Sequence, residues 1–324
     1  MLFTGAAKRI GNHHVGTVLA NGFDMPCPSD HTSRPLPSQV PFSPERSHCV
    51  GERVDRPFPA DDPGVFADRF MSFLTSCGIP AAGVFHYTET DSTNMRAHAL
   101  ARQGSPEGTI VIADSQTAGR GQFGRSWHSP PGKGIYLSVI LRPKIPPMRM
   151  LGATLMSAVC LADVLKGLCR IDAAIKWPND LLVRGRKISG ILTEMSSKGG
   201  VLDYFIVGVG INLAHTREDF PPEIRDKATS VLLETGSVCD RTNLVTAFLR
   251  VFHLSYREYL ENGPASFADR WNTLSATNGK RVRIRHAGTH NEGIFMGIDD
   301  NGAVLIRGDD GLIRRLDHAG MLTP

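Results

Sequence analysis

The stretch Ser115–Tyr136 restricts this chain more than any other. It sets five glycines, Gly119, Gly121, Gly124, Gly132 and Gly134, among Arg120, Arg125 and Lys133. Apolar runs, Thr109–Ala113 and Ile135–Leu141, lead in and out, and both read as strands. Glycine lets a backbone approach a ligand closely and take positive φ. Arginine supplies a planar, permanently charged set of donors suited to carboxylate and phosphate. The fold must therefore carry a long cationic, glycine-rich loop between two strands. An anion-binding loop is the favoured reading over a hairpin with solvated charges.

The common nucleotide fingerprints do not account for this loop. Gly119, Gly121 and Gly124 satisfy G-x-G-x-x-G, but a dinucleotide site needs a helix directly after the third glycine. Here Pro130, Pro131 and Gly132 follow and exclude one. Gly132-Lys133 is followed by Gly134, so the G-x-x-x-x-G-K-[ST] loop is absent, and no G-x-S-x-G nucleophile elbow occurs.

The 324 residues suffice for two domains, and 41% hydrophobic with 21% charged residues is a globular balance. A net charge of +4 does not give the dense basic surface of a dedicated nucleic-acid binder. No apolar run is read as long enough to cross a bilayer. The six cysteines form no C-x-x-C pair, which fits a reducing compartment and leaves them as structural bystanders. No H-E-x-x-H occurs, and a transition-metal site is not expected.

Residues 1–63 carry nine prolines and no sustained periodicity, and are expected to be a disordered extension. Lys8 and Arg9 precede the first acidic residue, Asp24, so organellar targeting stays open beside a cytoplasmic location. Order is expected from a helix near Phe66–Leu74 and a strand at Gly83–Tyr87. Asp91-Ser92-Thr93-Asn94 then opens a helix that Gly104 stops. Capping alone would explain those four residues. The functional reading is that their polar groups face a ligand at the helix N-terminus. A buried helix is expected over Met148–Leu168, strands at Leu181–Val183, Lys187–Glu194 and Tyr204–Asn212, and a long helix over Asn243–Leu260. From Lys280 only short strands and turns follow, reading as a small all-β unit.

Four segments in order, Ser115–Trp127, Lys176-Trp177-Pro178-Asn179-Asp180, Arg186–Glu194 and Gly208–Leu213, resemble those of biotin protein ligases. The resemblance spans about Tyr87–Met321. It implies a mixed-sheet α/β catalytic domain (64–276) and a C-terminal SH3-like β-barrel (277–324). It also implies an enzyme that makes biotinyl-5′-adenylate from biotin and ATP with Mg²⁺, then biotinylates a lysine of a biotin carboxyl carrier protein. Residues 1–63 show no helix-turn-helix pattern, so the chain resembles the class without a DNA-binding winged helix. No DNA or membrane partner is expected, and the family includes sheet-paired homodimers.

By motif match, Arg120, Arg125 and Lys187 are the catalytic cations, since carboxylate attack on a phosphate brings two anions together. Ser92, Thr93, Asn94, Gln116, Gly119, Tyr136, Ser138, Gly190 and Gly208, with Arg120 and Lys187, match biotin-contacting positions. Trp127, Asn179 and Asn212, with Arg120, Arg125 and Lys187, match ATP or adenylate contacts. Asp180 matches the carboxylate near Mg²⁺. Gln122 stands where some relatives have arginine, which removes one cation from the loop. Three alternatives are a lipoate or octanoate ligase of the same fold, a biotin-responsive DNA-binding regulator, and a silent ligand-binding protein. Gly-Arg-Gly followed by Lys-Trp-Pro-Asn-Asp favours biotin.

Overall fold

The computed structural model describes residues 15–19, 63–76, 78–79, 81–237, 239–286, 289–316 and 322–323. The expectation of a disordered 1–63 lies mostly outside these residues. Within them it needs a correction, because Val15–Leu19 is a strand (β1). Its β-branched Val15, Thr17 and Val18 suit a strand, and it pairs antiparallel with the next one, Val15 opposite Tyr87.

The larger, N-terminal part is one mixed sheet with helices on both faces. Helix α1 (Pro63–Ser76) leads to β2 (Gly83–Thr90), α2 (Thr93–Arg102), β3 (Thr109–Gln116), β4 (Gly134–Leu141), α3 (Ala153–Cys169), β5 (Ala174–Lys176), β6 (Asp180–Val183), β7 (Arg186–Lys198) and β8 (Val201–Asn212). The spatial order is β1-β2-β3-β4-β8-β7-β6-β5. Among the described strands only β2 and β3 pair in parallel, joined by the crossover helix α2. This is the expected mixed-sheet class.

Alternation along the strands decides which face each residue meets. Ile110, Ile112, Ile135, Leu137, Val139, Val207, Val209 and Ile211 join the main core with α1, α3 and α5 (Arg241–Asn262). The opposite face of β3, β4 and β8, through Val111, Ala113, Ile140 and Ile206, packs on Ala97, Leu100 and Ala101 of α2. Toward the far end of that second face the apolar residues give way to Ser138, Gly208 and Gly210.

The expected helix over Met148–Leu168 is split into a 3-10 turn, Pro147–Met150, and α3. The segment Pro147–Cys169 is long and apolar enough to cross a bilayer, with mean hydropathy 1.5, which the sequence expectation did not include. Two-thirds of it is buried, and α3 packs on α5 and the sheet as a core helix. Cys169 at the end of α3 and Cys239 before α5 bring their sulfurs to 3.4 Å, a proximity no spacing rule signals.

Two short helices, α4 (Val231–Thr235) and α6 (Ala268–Leu274), escaped the sequence reading. Ser230 caps α4, accepting from Leu233 N at 3.1 Å. On α6, fully buried Trp271 packs edge-on against Trp177, 5.7 Å between centroids, and against Phe295 at 6.1 Å. It thereby joins the Trp-Pro-Asn-Asp segment to the C-terminal unit. That unit is a five-stranded antiparallel sheet of β9 (Arg281–His286), β10 (Thr289–Ile298), β11 (Val304–Arg307), β12 (Ile313–Leu316) and β13 (Leu322–Thr323). Its order is β12-β11-β10-β9-β13.

Candidate active site

Strand register builds the floor of the site. Tyr136 on β4 lies opposite Gly210 on β8, which lies opposite Gly190 on β7, which lies opposite Asp180 on β6. In the next row Ser138 faces Gly208, and Gly208 faces Leu192. Three glycines thus meet on one face of two adjacent strands, β7 and β8, and the face is hollow there. The cavity above is lined by Ser92, Thr93, Asn94, Gln116, Arg120, Gly121, Gln122, Trp127, Tyr136, Asn179, Lys187 and the floor residues.

One wall is the start of α2. Ser92 is at the N-cap position, but its side chain makes no capping bond. Capping therefore does not account for it. Gln116 Oε1 accepts from Thr93 N at 2.8 Å, and Gln116 Nε2 donates to Ser129 Oγ at 2.8 Å. Ser138 Oγ donates to Thr93 Oγ1 at 2.9 Å and to Asn94 Oδ1 at 2.7 Å. Ser92, Thr93, Asn94 and Ser138 are all buried. Burial also pushes the Tyr136 hydroxyl up, so it stays protonated and donates to Pro130 O at 3.2 Å.

The glycine-rich loop folds as a short hairpin over this wall. Trp127 N donates to Gly119 O at 2.8 Å and Gly121 N to Arg125 O at 2.7 Å. The tip is a 3-10 turn, Gln122–Gly124, with Phe123 at φ 58° and Gly124 at φ 73°. The hairpin lays Trp127 onto the glycine floor. A Cβ on Gly210 would stand 2.6 Å from the indole, and one on Gly190 would stand 3.1 Å from it. Lys187 Nζ lies 5.2 Å from the Trp127 ring centroid, a cation–π distance.

Two glycines of the expected site also answer to packing within the protein. At Gly119 a Cβ would meet Trp127 O at 2.5 Å and Ser129 Oγ at 2.7 Å, so this glycine lets the hairpin close on itself. At Gly208 a Cβ would overlap the Asn94 side-chain oxygen. Gly208 therefore makes room for the Asn94 amide.

The charged groups separate into two sets. Arg120 reaches the cavity and pairs with Glu194 at 3.3 Å. Lys187 pairs with Asp180 at 2.6 Å. Arg125 is exposed on the hairpin and does not line the cavity. Lys133 turns away to Asp219 at 2.9 Å. Asn179 Nδ2 donates to Ile191 O at 2.8 Å, at the cavity wall behind the cis Trp177–Pro178 bond. Asn212 is outside the lining. Its amide donates to Lys187 O at 3.3 Å and to Thr229 O at 3.0 Å, stapling the start of β7 to the segment before α4.

The sequence reading missed Gly210, Gln122 and Glu194 as members of the site. The period of two from Gly208 to Gly210 was the available signal for the first. Glu194 ends a quoted motif, yet nothing in its local sequence places it beside Arg120. Among the described residues, no three His, Cys, Asp or Glu side chains group to hold a metal ion.

The loop's roots rest on a buried ion network. Gly132 N donates to Asp114 O at 3.2 Å. The Asp114 carboxylate meets His86 Nε2 at 3.0 Å and Arg241 at 2.7 Å. Burial alone would raise the Asp114 pKa. The His86 hydrogen bond and the Arg241 charge outweigh it and hold the group below the usual carboxylate range.

Residues 87–212 match the Biotin/lipoate A/B protein ligase family, and residues 277–318 match the Biotin protein ligase C terminal domain. The chain is 36% identical over 250 residues to the bifunctional ligase/repressor BirA of Bacillus subtilis, covering 77% of each chain. It is 35% identical over 227 residues to the biotin–[acetyl-CoA-carboxylase] ligase of Paracoccus denitrificans, covering 68% of this chain and 93% of that one. A solved Aquifex aeolicus biotin protein ligase in complex with biotin and ATP superposes with a TM-score of 0.64 at 28% identity. That match covers 74% of this chain and 97% of the other.

Proposed function

Since this chain belongs to the biotin protein ligase family, we infer that its glycine-floored cavity is where biotin is activated and from which it is transferred. The activity is that of a biotin–[acetyl-CoA-carboxylase] ligase, which biotinylates a carrier protein through biotinyl-AMP. The observation that carries the site assignment is that one cavity gathers Ser92, Thr93, Asn94 and Gln116 with Arg120, Lys187 and Trp127. A match to the biotin ligase C-terminal domain favours biotin over lipoate as the acid.

The reaction has two steps. The biotin carboxylate attacks the α-phosphorus of ATP. A carboxylate–phosphorus bond forms, the bond to the bridging oxygen breaks, and pyrophosphate leaves. A carrier lysine, as the free amine, then attacks the biotinyl carbonyl. The amide forms, AMP leaves, and the amine's proton passes to solvent. No enzyme nucleophile is required.

The first step crowds negative charge, so cations placed beforehand lower its barrier. Arg120 and Lys187 are our candidates for meeting the carboxylate and the α-phosphate. Both are already paired with carboxylates, Glu194 and Asp180, and exchange them for substrate. The small polar wall of α2 and Gln116, with Ser138 behind it holding Thr93 and Asn94, suits the ureido head of biotin, and Leu192 suits its apolar bicycle. Trp127 suits the adenine face. Arg125 acts only if the hairpin shifts. Asp180, a lone carboxylate, fits a Mg²⁺ ion held chiefly by phosphate oxygens and water. Such an ion would offset triphosphate charge.

We read the chain as a ligase without a repressor module, supported by the proline-rich 1–63 and its lack of a helix-turn-helix pattern. Arg120→Ala and Lys187→Ala are each expected to slow adenylate formation by about 10²–10³-fold with thermal unfolding unchanged. Parent rates in both variants would overturn the site assignment.

A further inference from the structure

Glu194 joins the two halves of the cavity. It lies on β7 on the same sheet face as Gly190 and Leu192, half-buried. Its Oε2 accepts from Asn94 Nδ2 at 2.8 Å and stands 3.5 Å from His98 Nε2. Its Oε1 is 3.3 Å from the Arg120 guanidinium. One carboxylate therefore touches a residue of the polar wall and the cation of the hairpin.

Both contacts fix an orientation. The Asn94 amide is determined from two sides. Its oxygen accepts from Ser138 at 2.7 Å, and its nitrogen donates to Glu194 and to Leu192 O at 3.2 Å. Without an acceptor at Glu194 the amide loses one of those three bonds and the shorter of the two its nitrogen makes. Arg120 stands on a hairpin whose side chains are largely exposed, and Glu194 is the one carboxylate found against it among the described residues. His98 backs the carboxylate. Its Nδ1 lies 3.2 Å from Tyr204 OH and its ring packs edge-on to Tyr204 at 5.6 Å. The His98 hydrogen bond leads, then Asn94 and the Arg120 charge, in holding the Glu194 carboxyl below the usual carboxylate range against the effect of burial.

We propose that Glu194 is a positioning residue for biotin activation. It orients the Asn94 amide in the biotin wall and holds Arg120 over the cavity until the substrate carboxylate takes the guanidinium. The proposal rests on the reading of this cavity as the biotin-activating site.

The test is single-turnover adenylate formation from biotin and ATP, sensitive enough for slow variants, with Glu194→Gln and Glu194→Ala. Glutamine keeps an oxygen for Asn94 but turns an NH2 toward Arg120, so it breaks one side only. Glu194→Gln is expected to retain the apparent biotin affinity within about threefold while the maximal rate falls about tenfold or more. Glu194→Ala frees Asn94 as well, and its apparent biotin affinity also weakens about tenfold. In an Arg120→Ala background, Glu194→Gln is expected to have no further effect on rate, because the group it positions is gone. Unchanged thermal unfolding of Glu194→Gln excludes a general loss of folding. A Glu194→Gln rate within twofold of the parent, or the same fold-loss in both backgrounds, would overturn the proposal. A parent protein that forms no adenylate from biotin would instead remove the reading beneath it.

Discussion

Replacing Gly208 by alanine tests how the cavity wall is assembled. The added methyl group would overlap the Asn94 side-chain oxygen and stand 2.8 Å from its carbonyl carbon. Asn94 cannot retreat without loss, because it is held by Ser138 at 2.7 Å, Glu194 at 2.8 Å and Leu192 O at 3.2 Å. Overpacking of this kind costs about 1–3 kcal/mol. Breaking the three bonds instead, at about 0.5–1.5 kcal/mol each, gives a similar figure. The expected loss is therefore about 2–3 kcal/mol, or roughly 4–10 °C in Tm. It should appear in a thermal melt together with a raised KM for biotin. The clash is specific, so it should vanish when the amide is absent. Asn94→Ala/Gly208→Ala should melt within about 0.5 kcal/mol of Asn94→Ala alone. An unchanged Gly208→Ala, or equal losses in both backgrounds, would refute the reasoning.

Two further predictions concern buried charge. His215 is fully buried and stacked on Phe220 at 4.8 Å; burial first, then the His128 charge, pushes its pKa down to about 4. The unfolded chain, near 6.5, takes the proton first as pH falls, so stability present above pH 6.5 is lost progressively down to about pH 4, by about 3 kcal/mol. His215→Leu should flatten that acid limb in urea titrations, and a parallel limb would contradict the assignment. Asp114→Asn removes the carboxylate paired with the buried Arg241 guanidinium, which keeps its bond to Ala113 O, and should destabilise by about 3 kcal/mol. A loss under about 1 kcal/mol in urea unfolding would show that the network is dispensable.

The parts of the site legible in the sequence are those whose neighbours along the chain define them. Ser92, Thr93 and Asn94 open a helix, Arg120 sits between glycines, and Lys187 starts a strand after a tight turn. What stayed hidden depends on register between distant segments. Gly190, Gly210 and Tyr136 form one row only because β7, β8 and β4 pair as they do. The same pairing seats the Asn94 amide against Gly208, which also lines the cavity. Arg125 was read as a site cation because the loop's direction is set by a hairpin bond, Gly121 N to Arg125 O, that composition does not reveal. Helix α6, seven residues long, has too little periodicity to announce itself, although its Trp271 ties the two halves of the chain together. Strand β1, five residues long, has too little periodicity for a similar reason. Its five residues gain order from the edge of β2 and from α1.

The most direct test of the central claim is ATP–pyrophosphate exchange measured with biotin, lipoate and octanoate side by side. Label entering ATP with biotin, and at no more than background with the other two acids, is the result that a biotin-activating cavity predicts. Exchange supported by lipoate or octanoate but not by biotin would contradict it.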